Sequence, residues 1–216
     1  MEASQILMNI FLFVLAYCVG SIPSSVWIGK FFYNTDVREY GSGNAGATNT
    51  FRVLGVKAGS FVFCFDVLKG WAAVKLIYFT SYYIPESGSY INFQLLLGLG
   101  ALIGHIYPVF AQFRGGKGVA TMLGIVLALH PYAALAALGI WVVTLVVFRY
   151  VSLASMAAGF SFPILLIVIF QVRTESLAIF SITVAILLFV THQKNIERLL
   201  KREESKIKLK KKEGSE

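Results

Sequence analysis

Charge is what this sequence has least of. Only 14 % of its 216 residues are Asp, Glu, Lys or Arg, where a soluble domain carries about a quarter. So few charges cannot cover a water-facing surface, and a soluble globular fold is excluded on that ground. Cysteine is nearly absent, with Cys18 and Cys64 both inside apolar runs. A disulfide framework or thiolate metal site has no partners to draw on, and the two read as small buried hydrophobes. A basic n-region is missing from Met1-Glu2-Ala3, so the apolar run that follows reads as a retained helix and not as a cleavable signal.

What is present is hydrophobic length: 57 % of the residues are apolar, in runs too long for a globular core. The pattern predicts an all-α, polytopic integral membrane protein with about seven spans, at 5–28, 56–81, 90–110, 117–130, 131–148, 152–170 and 175–194. The fourth is short for a straight crossing, which takes about 20 residues. The Asp66 and Lys69 side chains, one turn apart inside the second span, are expected to pair, because charges inside a membrane are costly when alone. Residues 1–200 form the membrane domain, and 201–216 are expected to be a disordered basic cytoplasmic tail.

The net charge of +8 would suit a nucleic-acid binder, but its distribution follows membrane topology. Lys30, Arg38, Arg52, Lys57, Arg114, Lys117 and Arg149 flank one set of alternate loops, and nine more basic residues lie in the tail from Lys194 to Lys212. The opposite loops hold only Arg173. Basic residues stay in the cytoplasm, so the N-terminus is expected outside and the C-terminus inside, with no nucleic-acid partner.

Three polar segments then share the cytoplasmic face. Gly41-Ser42-Gly43-Asn44-Ala45-Gly46-Ala47-Thr48-Asn49 and Arg52 combine glycines, whose backbone can form an anion-binding nest, with neutral donors and a guanidinium fork suited to phosphate. A tight, merely solvated turn is the alternative. Arg114-Gly115-Gly116-Lys117-Gly118 opens the fourth span, where free N–H groups and the helix dipole favour an anion. Its spacing is not that of a Walker ATPase loop. His192 and Asn195 share a helix face where the seventh span ends; an interfacial histidine is the plainer reading. Ser152 and Ser155 could cap the sixth span or touch a ligand, and His105 reads as structural. Together the segments suit a small soluble phosphate meeting a lipid-like substrate at one leaflet. A phosphate transporter would place its anion groups near the midplane and on both faces. A scaffold acting through its basic tail would lose function on deletion after Lys201, a deletion that an enzyme working through the three segments is expected to survive.

These motifs resemble the bacterial acyl-phosphate-dependent glycerol-3-phosphate acyltransferases, the PlsY family. The match runs over Gly20-Ser21-Ile22-Pro23, Gly41 to Asn49, Gly104-His105-x-x-Pro108-x-Phe110, Gly115 to Thr121, and His192-x-x-Asn195-Ile196-x-Arg198-Leu199. The resemblance implies acyl transfer from acyl phosphate to the 1-hydroxyl of sn-glycerol 3-phosphate, giving lysophosphatidic acid and phosphate in the bacterial cytoplasmic (inner) membrane. It implies no cofactor and no metal. A soluble enzyme that makes acyl phosphate is a candidate docking partner, and membrane lipid is the surrounding solvent. By that resemblance Ser42, Arg52, Lys117, His192 and Ser155 would hold glycerol 3-phosphate. Gly43, Asn44, Gly115 and Gly116 would hold the acyl phosphate, with Gly46, Thr48, Asn49 and Gly118 completing the loops. His192, Asn195, Lys117 and Arg52 would be the catalytic set, with His192 or the substrate's own phosphate as base.

Overall fold

A computed structural model describes residues 3–207, and their regular structure is all helical, without a strand among the described residues. The order is α1 (Ala3–Gly20), α2 (Ser24–Tyr33), α3 (Ala47–Leu54), α4 (Val56–Lys75), α5 (Gly88–Ile106), α6 (Val119–Leu129), α7 (Pro131–Phe148), α8 (Val151–Ile164), α9 (Glu175–Thr191) and α10 (Gln193–Leu200). One π-turn, Leu165–Ile169, extends α8.

Four helical stretches are long and apolar enough to cross a membrane: Ala3–Gly20, Gly88–Ala111, Pro131–Phe148 and Val151–Ile169. A fifth is reached if α9 and α10, bent by 59° at His192, count as one. The 20 residues of α4 have the length, but Lys57, Asp66, Lys69 and Lys75 make it too polar to pass on hydropathy. With 11 residues, α6 spans only about 16 Å at 1.5 Å per residue. Ile6, Leu7, Ile10, Phe11 and Val14 on α1, and Val142, Val143, Val146 and Val147 on α7, stand exposed; such continuous apolar faces suit lipid and not water.

The expected first span, 5–28, is corrected: it is two helices. Gly20 ends α1, and Ser21, Ile22 and Pro23 lie outside either helix. Pro23 has no N–H to continue the ladder, and a new ladder starts when Trp27 N–H donates to the Pro23 carbonyl at 2.9 Å. At the break the Ile22 carbonyl accepts both the Ser24 N–H at 3.1 Å and Lys69 Nζ at 2.9 Å. The Asp66–Lys69 pair expected from the sequence is present at 2.8 Å, both side chains buried.

Close crossings hold the bundle where it supports the loops. On α4 and α6, a Cβ at Gly70 would sit 2.1 Å from the Thr121 carbonyl oxygen, and one at Gly124 would sit 1.9 Å from that of Val67. Only glycine lets these backbones meet, as small residues do between membrane helices. One apolar core joins Leu12, Ala16, Ala73, Phe93, Leu97 and Ala101 of α1, α4 and α5. Another runs from Val74 and Leu102 through Ile125 to Phe162, Val184 and Leu188.

Candidate active site

The first glycine loop is held by its own side chains. Asn49 is buried; its Oδ1 accepts the Ser42 N–H at 2.9 Å and its Nδ2 donates to the Val37 carbonyl at 2.7 Å and that of Tyr40 at 3.1 Å. Gly41 has φ +62°, and a Cβ there would lie 2.4 Å from Asn49 Oδ1. The Gly43 N–H donates to the Tyr40 carbonyl at 3.1 Å, and Gly46 opens α3. Asn49 is thus a strut of the loop, and the amides of Ser42 and Gly43 close the turn. The side chains of Ser42, Asn44, Thr48 and Arg52 make no hydrogen bond among the described residues and remain open to a ligand. Arg38 anchors the loop's base: it binds Asp36 at 2.7 Å and donates to the Ala111 carbonyl at 2.9 Å. The guanidinium of Arg38 holds the Asp36 carboxyl well below the usual carboxylate range.

The second loop folds back on the end of α5. Gly115 N–H donates to the Ile106 carbonyl at 3.2 Å and Gly116 N–H to that of His105 at 3.1 Å. These two amides hold the loop's shape, so the anion-binding atoms this segment presents are those beyond them. Gly118 takes φ +82°, a left-handed value at which glycine carries no side-chain penalty, and its carbonyl accepts the Met122 N–H at 2.7 Å in the first turn of α6. Lys117, between them, directs its ammonium to Asn195 Oδ1.

The third segment meets it there. His192 sits at the α9–α10 bend, buried, with Nδ1 2.7 Å from the Leu188 carbonyl. A carbonyl can only accept, so Nδ1 carries the proton and Nε2 of the neutral ring keeps its lone pair. Asn195 Nδ2 donates to Glu204 Oε1 at 2.7 Å. Arg198 Nε donates to Glu204 Oε2 at 2.7 Å, and Ser152 Oγ donates to Glu204 Oε1, also at 2.7 Å.

Glu204 is the residue that sequence reasoning missed. It lies in the segment expected to be a disordered tail without a role. The described part of that segment folds back on the bundle: the Ile207 N–H donates to the Arg149 carbonyl at 2.9 Å, and Lys206 Nζ sits 5.2 Å over the Tyr150 ring. Residues 208–216 lie outside the described residues. Burial opposes the charged form of Glu204, but hydrogen bonds from Arg198, Ser152 and Asn195 outweigh it and hold the carboxyl below its ordinary range. The one available signal was an acidic pair, Glu203-Glu204, inside a basic run. Neither serine caps α8, whose N-cap is Tyr150. Ser152 reaches the cluster; Ser155, one turn further in, donates to the Val151 carbonyl at 2.9 Å and accepts from Trp141 Nε1 at 3.2 Å.

Burial lowers the pKa of Lys117 from 10.5 to about 8; the positive charge of Arg198 acts the same way, Glu204 opposes, and Arg52 adds to the lowering. The first loop meets the second at Gly116, where a Cβ would stand 2.9 Å from the Ala45 carbonyl oxygen. A Lys117 ammonium is present below that value and lost above it. If it binds an anionic substrate, kcat/KM for that substrate should fall about tenfold per unit above pH 8, and Lys117→Arg should move this alkaline limb upward.

The chain matches the family model described as glycerol-3-phosphate acyltransferase over residues 10–202. It is 49 % identical over 201 residues to a glycerol-3-phosphate acyltransferase of Listeria welshimeri, covering 92 % of this chain and 96 % of that one. Two solved structures are similar, both described as PlsY (YgiH), an integral membrane glycerol 3-phosphate acyltransferase. Its glycerol 3-phosphate form superposes with a TM-score of 0.82 at 37 % identity, covering 93 % of this chain and 96 % of that one. Its lysophosphatidic acid form gives 0.79 at 36 %, covering 93 % and 95 %.

Proposed function

Since the chain belongs to the glycerol-3-phosphate acyltransferase family and is an integral membrane acyltransferase, we propose that its donor is an acyl phosphate, its acceptor the 1-hydroxyl of sn-glycerol 3-phosphate, and its products lysophosphatidic acid and phosphate. The observation that carries this reading is the cluster in which Lys117 meets Asn195, three residues on from the buried His192 at the α9–α10 bend, while Asn195 and Arg198 share Glu204. Two anions need cations and donors more than they need a nucleophile, because phosphate is already a good leaving group.

In the reaction, the acceptor's 1-hydroxyl oxygen attacks the acyl carbonyl carbon and its proton passes to His192 Nε2. The oxyanion collapses, the carbon–oxygen bond to phosphate breaks, and phosphate departs with that electron pair. Lys117 and Arg52 hold the acceptor's phosphate together with Ser42. Asn195 orients the substrates, and the Gly43–Asn44 and Gly115–Gly116 stretches border the donor. An apolar groove of about 510 Å³ between α8 and α9 is lined by Phe160, Pro163, Ile167, Ile182, Ile186 and Phe189. Phe189 lies one turn before His192, so this groove is the place for the donor's acyl chain.

The chain crosses the bilayer seven times in this reading, with α1–α2 entering from outside and α4 and α6 completing the count inside the bundle. The basic loops, the site and the C-terminus face the cytoplasm of a bacterial cell, where a soluble enzyme making acyl phosphate could dock. The test is phosphate release from acyl phosphate by the purified protein. It should depend on glycerol 3-phosphate and drop about 1,000-fold in Lys117→Ala, several kcal/mol of lost charge stabilisation at 1.36 kcal/mol per decade. Normal turnover in that variant would remove the anion site from the mechanism.

A further inference from the structure

Beneath the second glycine loop lies a charged cluster that the proposed reaction does not use. Asp66 Oδ1 forms an ion pair with Lys69 Nζ at 2.8 Å, accepts a hydrogen bond from Ser24 Oγ at 2.9 Å, and lies 3.8 Å from His105 Nδ1. That same Nδ1 is 3.0 Å from Thr121 Oγ1. All five residues are buried. The cluster therefore draws in the α1–α2 break, α4, α5 and α6 at one point.

The far edge of the His105 ring carries the loop. A Cβ at Gly116 would stand 2.2 Å from His105 Nε2 and 2.9 Å from the Ala45 carbonyl oxygen. The ring thus touches Gly116 one residue before Lys117, where the first loop also arrives. The His105 carbonyl accepts the Gly116 N–H from below. A small cavity of about 10 Å³, room for about one water molecule, lies among Asp66, Lys69, His105, Ala45 and Gly115. An ion pair inside a membrane bundle is costly to keep. A simple packing role would be met more cheaply by apolar side chains, so this pair calls for another account.

We propose that Asp66, Lys69 and His105 form a positioning platform that sets the height of the Gly115–Gly118 loop, and so the reach of Lys117 towards Asn195 and the acceptor's phosphate. Asp66 and Thr121 fix the rotation of the His105 ring, Lys69 holds Asp66 and the Ile22 carbonyl together, and the Nε2 edge is the surface on which Gly116 rests. His105 touches no substrate; it acts through Gly116. The assignment rests on the proposed acceptor site, and the two can fail separately.

The experiment compares wild type with His105→Ala, His105→Gln, His105→Asn, Asp66→Asn and Gly116→Ala in detergent or vesicles. It measures KM and kcat for glycerol 3-phosphate across pH 7–10, and the direct binding of glycerol 3-phosphate by calorimetry, which needs no acyl donor. Removing the ring should raise KM and Kd about tenfold. It should also let Lys117, still flanked by Arg198, Arg52, Glu204 and His192 but less buried, shift its alkaline limb above pH 8. Gln, which extends to the Nε2 position, should restore KM; Asn, which reaches only the Nδ1 position, should not. The His105→Ala/Gly116→Ala double variant should be no worse than Gly116→Ala alone. An unchanged limb, equal behaviour of Gln and Asn, or multiplied defects in the double variant would each reduce the platform to a packing element. A wild type that binds glycerol 3-phosphate without releasing phosphate from acyl phosphate would overturn the donor and leave the binding comparison standing.

Discussion

A chain ended after Lys201 is expected to lose about 100-fold or more in kcat/KM, the reverse of the survival expected from sequence alone, while one ended after Ile207 keeps its activity. The difference is Glu204. Its carboxylate takes hydrogen bonds from Arg198, Asn195 and Ser152. Charge-assisted bonds contribute about 1.5–3 kcal/mol each, and losing the carboxylate frees all three donors at once. Two effects should follow. Asn195 loses the partner that orients its amide, so Oδ1 no longer meets Lys117 reliably. Arg198 loses its counter-charge and adds uncompensated repulsion beside Lys117. Glu204→Gln, which preserves shape but not charge, should show most of the loss, and Glu204→Asp a smaller part of it. Glu203→Gln, at an exposed position, serves as the control. Equal activity of the two truncations would mean that the observed contacts are incidental to catalysis.

His192→Gln should cost about 1,000-fold in kcat, within the 10²–10⁴ range for a positioned general base, with KM for glycerol 3-phosphate altered far less. Gln matches the ring's length with its amide at the Nε2 position, and the companion variant His192→Asn, whose amide stands at the Nδ1 position and keeps a donor for the Leu188 carbonyl, should preserve the bend between α9 and α10. What both lack is the basic Nε2 lone pair that the 2.7 Å contact at Nδ1 leaves available. The check is steady-state kinetics beside a melting curve of the purified variant. A near-normal kcat with a raised KM would move the base to the phosphate of the substrate itself and leave His192 as a binding group.

Much of this architecture was readable from the chain. The helices α5 to α9 begin and end within a few residues of the expected spans, because apolar run length and turn residues such as His130-Pro131 act locally. The first span was misread for an equally physical reason. The apolar character persists through Ser21-Ile22-Pro23, and only Lys69, 47 residues away from Ile22, makes a break there tolerable. The site divides the same way. The glycine loops and the His192–Asn195 face announced themselves by composition and spacing. Asn49 looked like a ligand donor, yet the loop itself consumes its amide. Glu204 looked like tail, since nothing local in Glu203-Glu204-Ser205 signals that α10 will return the chain to Ser152.

The buried pair on α4 has a consequence for how the protein is made. A charged residue at the centre of a helix resists insertion by about 2.5–3.5 kcal/mol on translocon scales, and α4 carries Asp66 and Lys69 at mid-length. The partners that relieve the cost emerge from the ribosome on both sides: Ile22 and Ser24 before α4, His105 after it. Insertion of α4 is therefore contingent on its neighbours, with α1 and α2 waiting in the membrane to receive it. Substituting Ser24 or blocking α1 should strand α4 at the surface during synthesis, a defect of biogenesis that no assay of the mature enzyme would reveal.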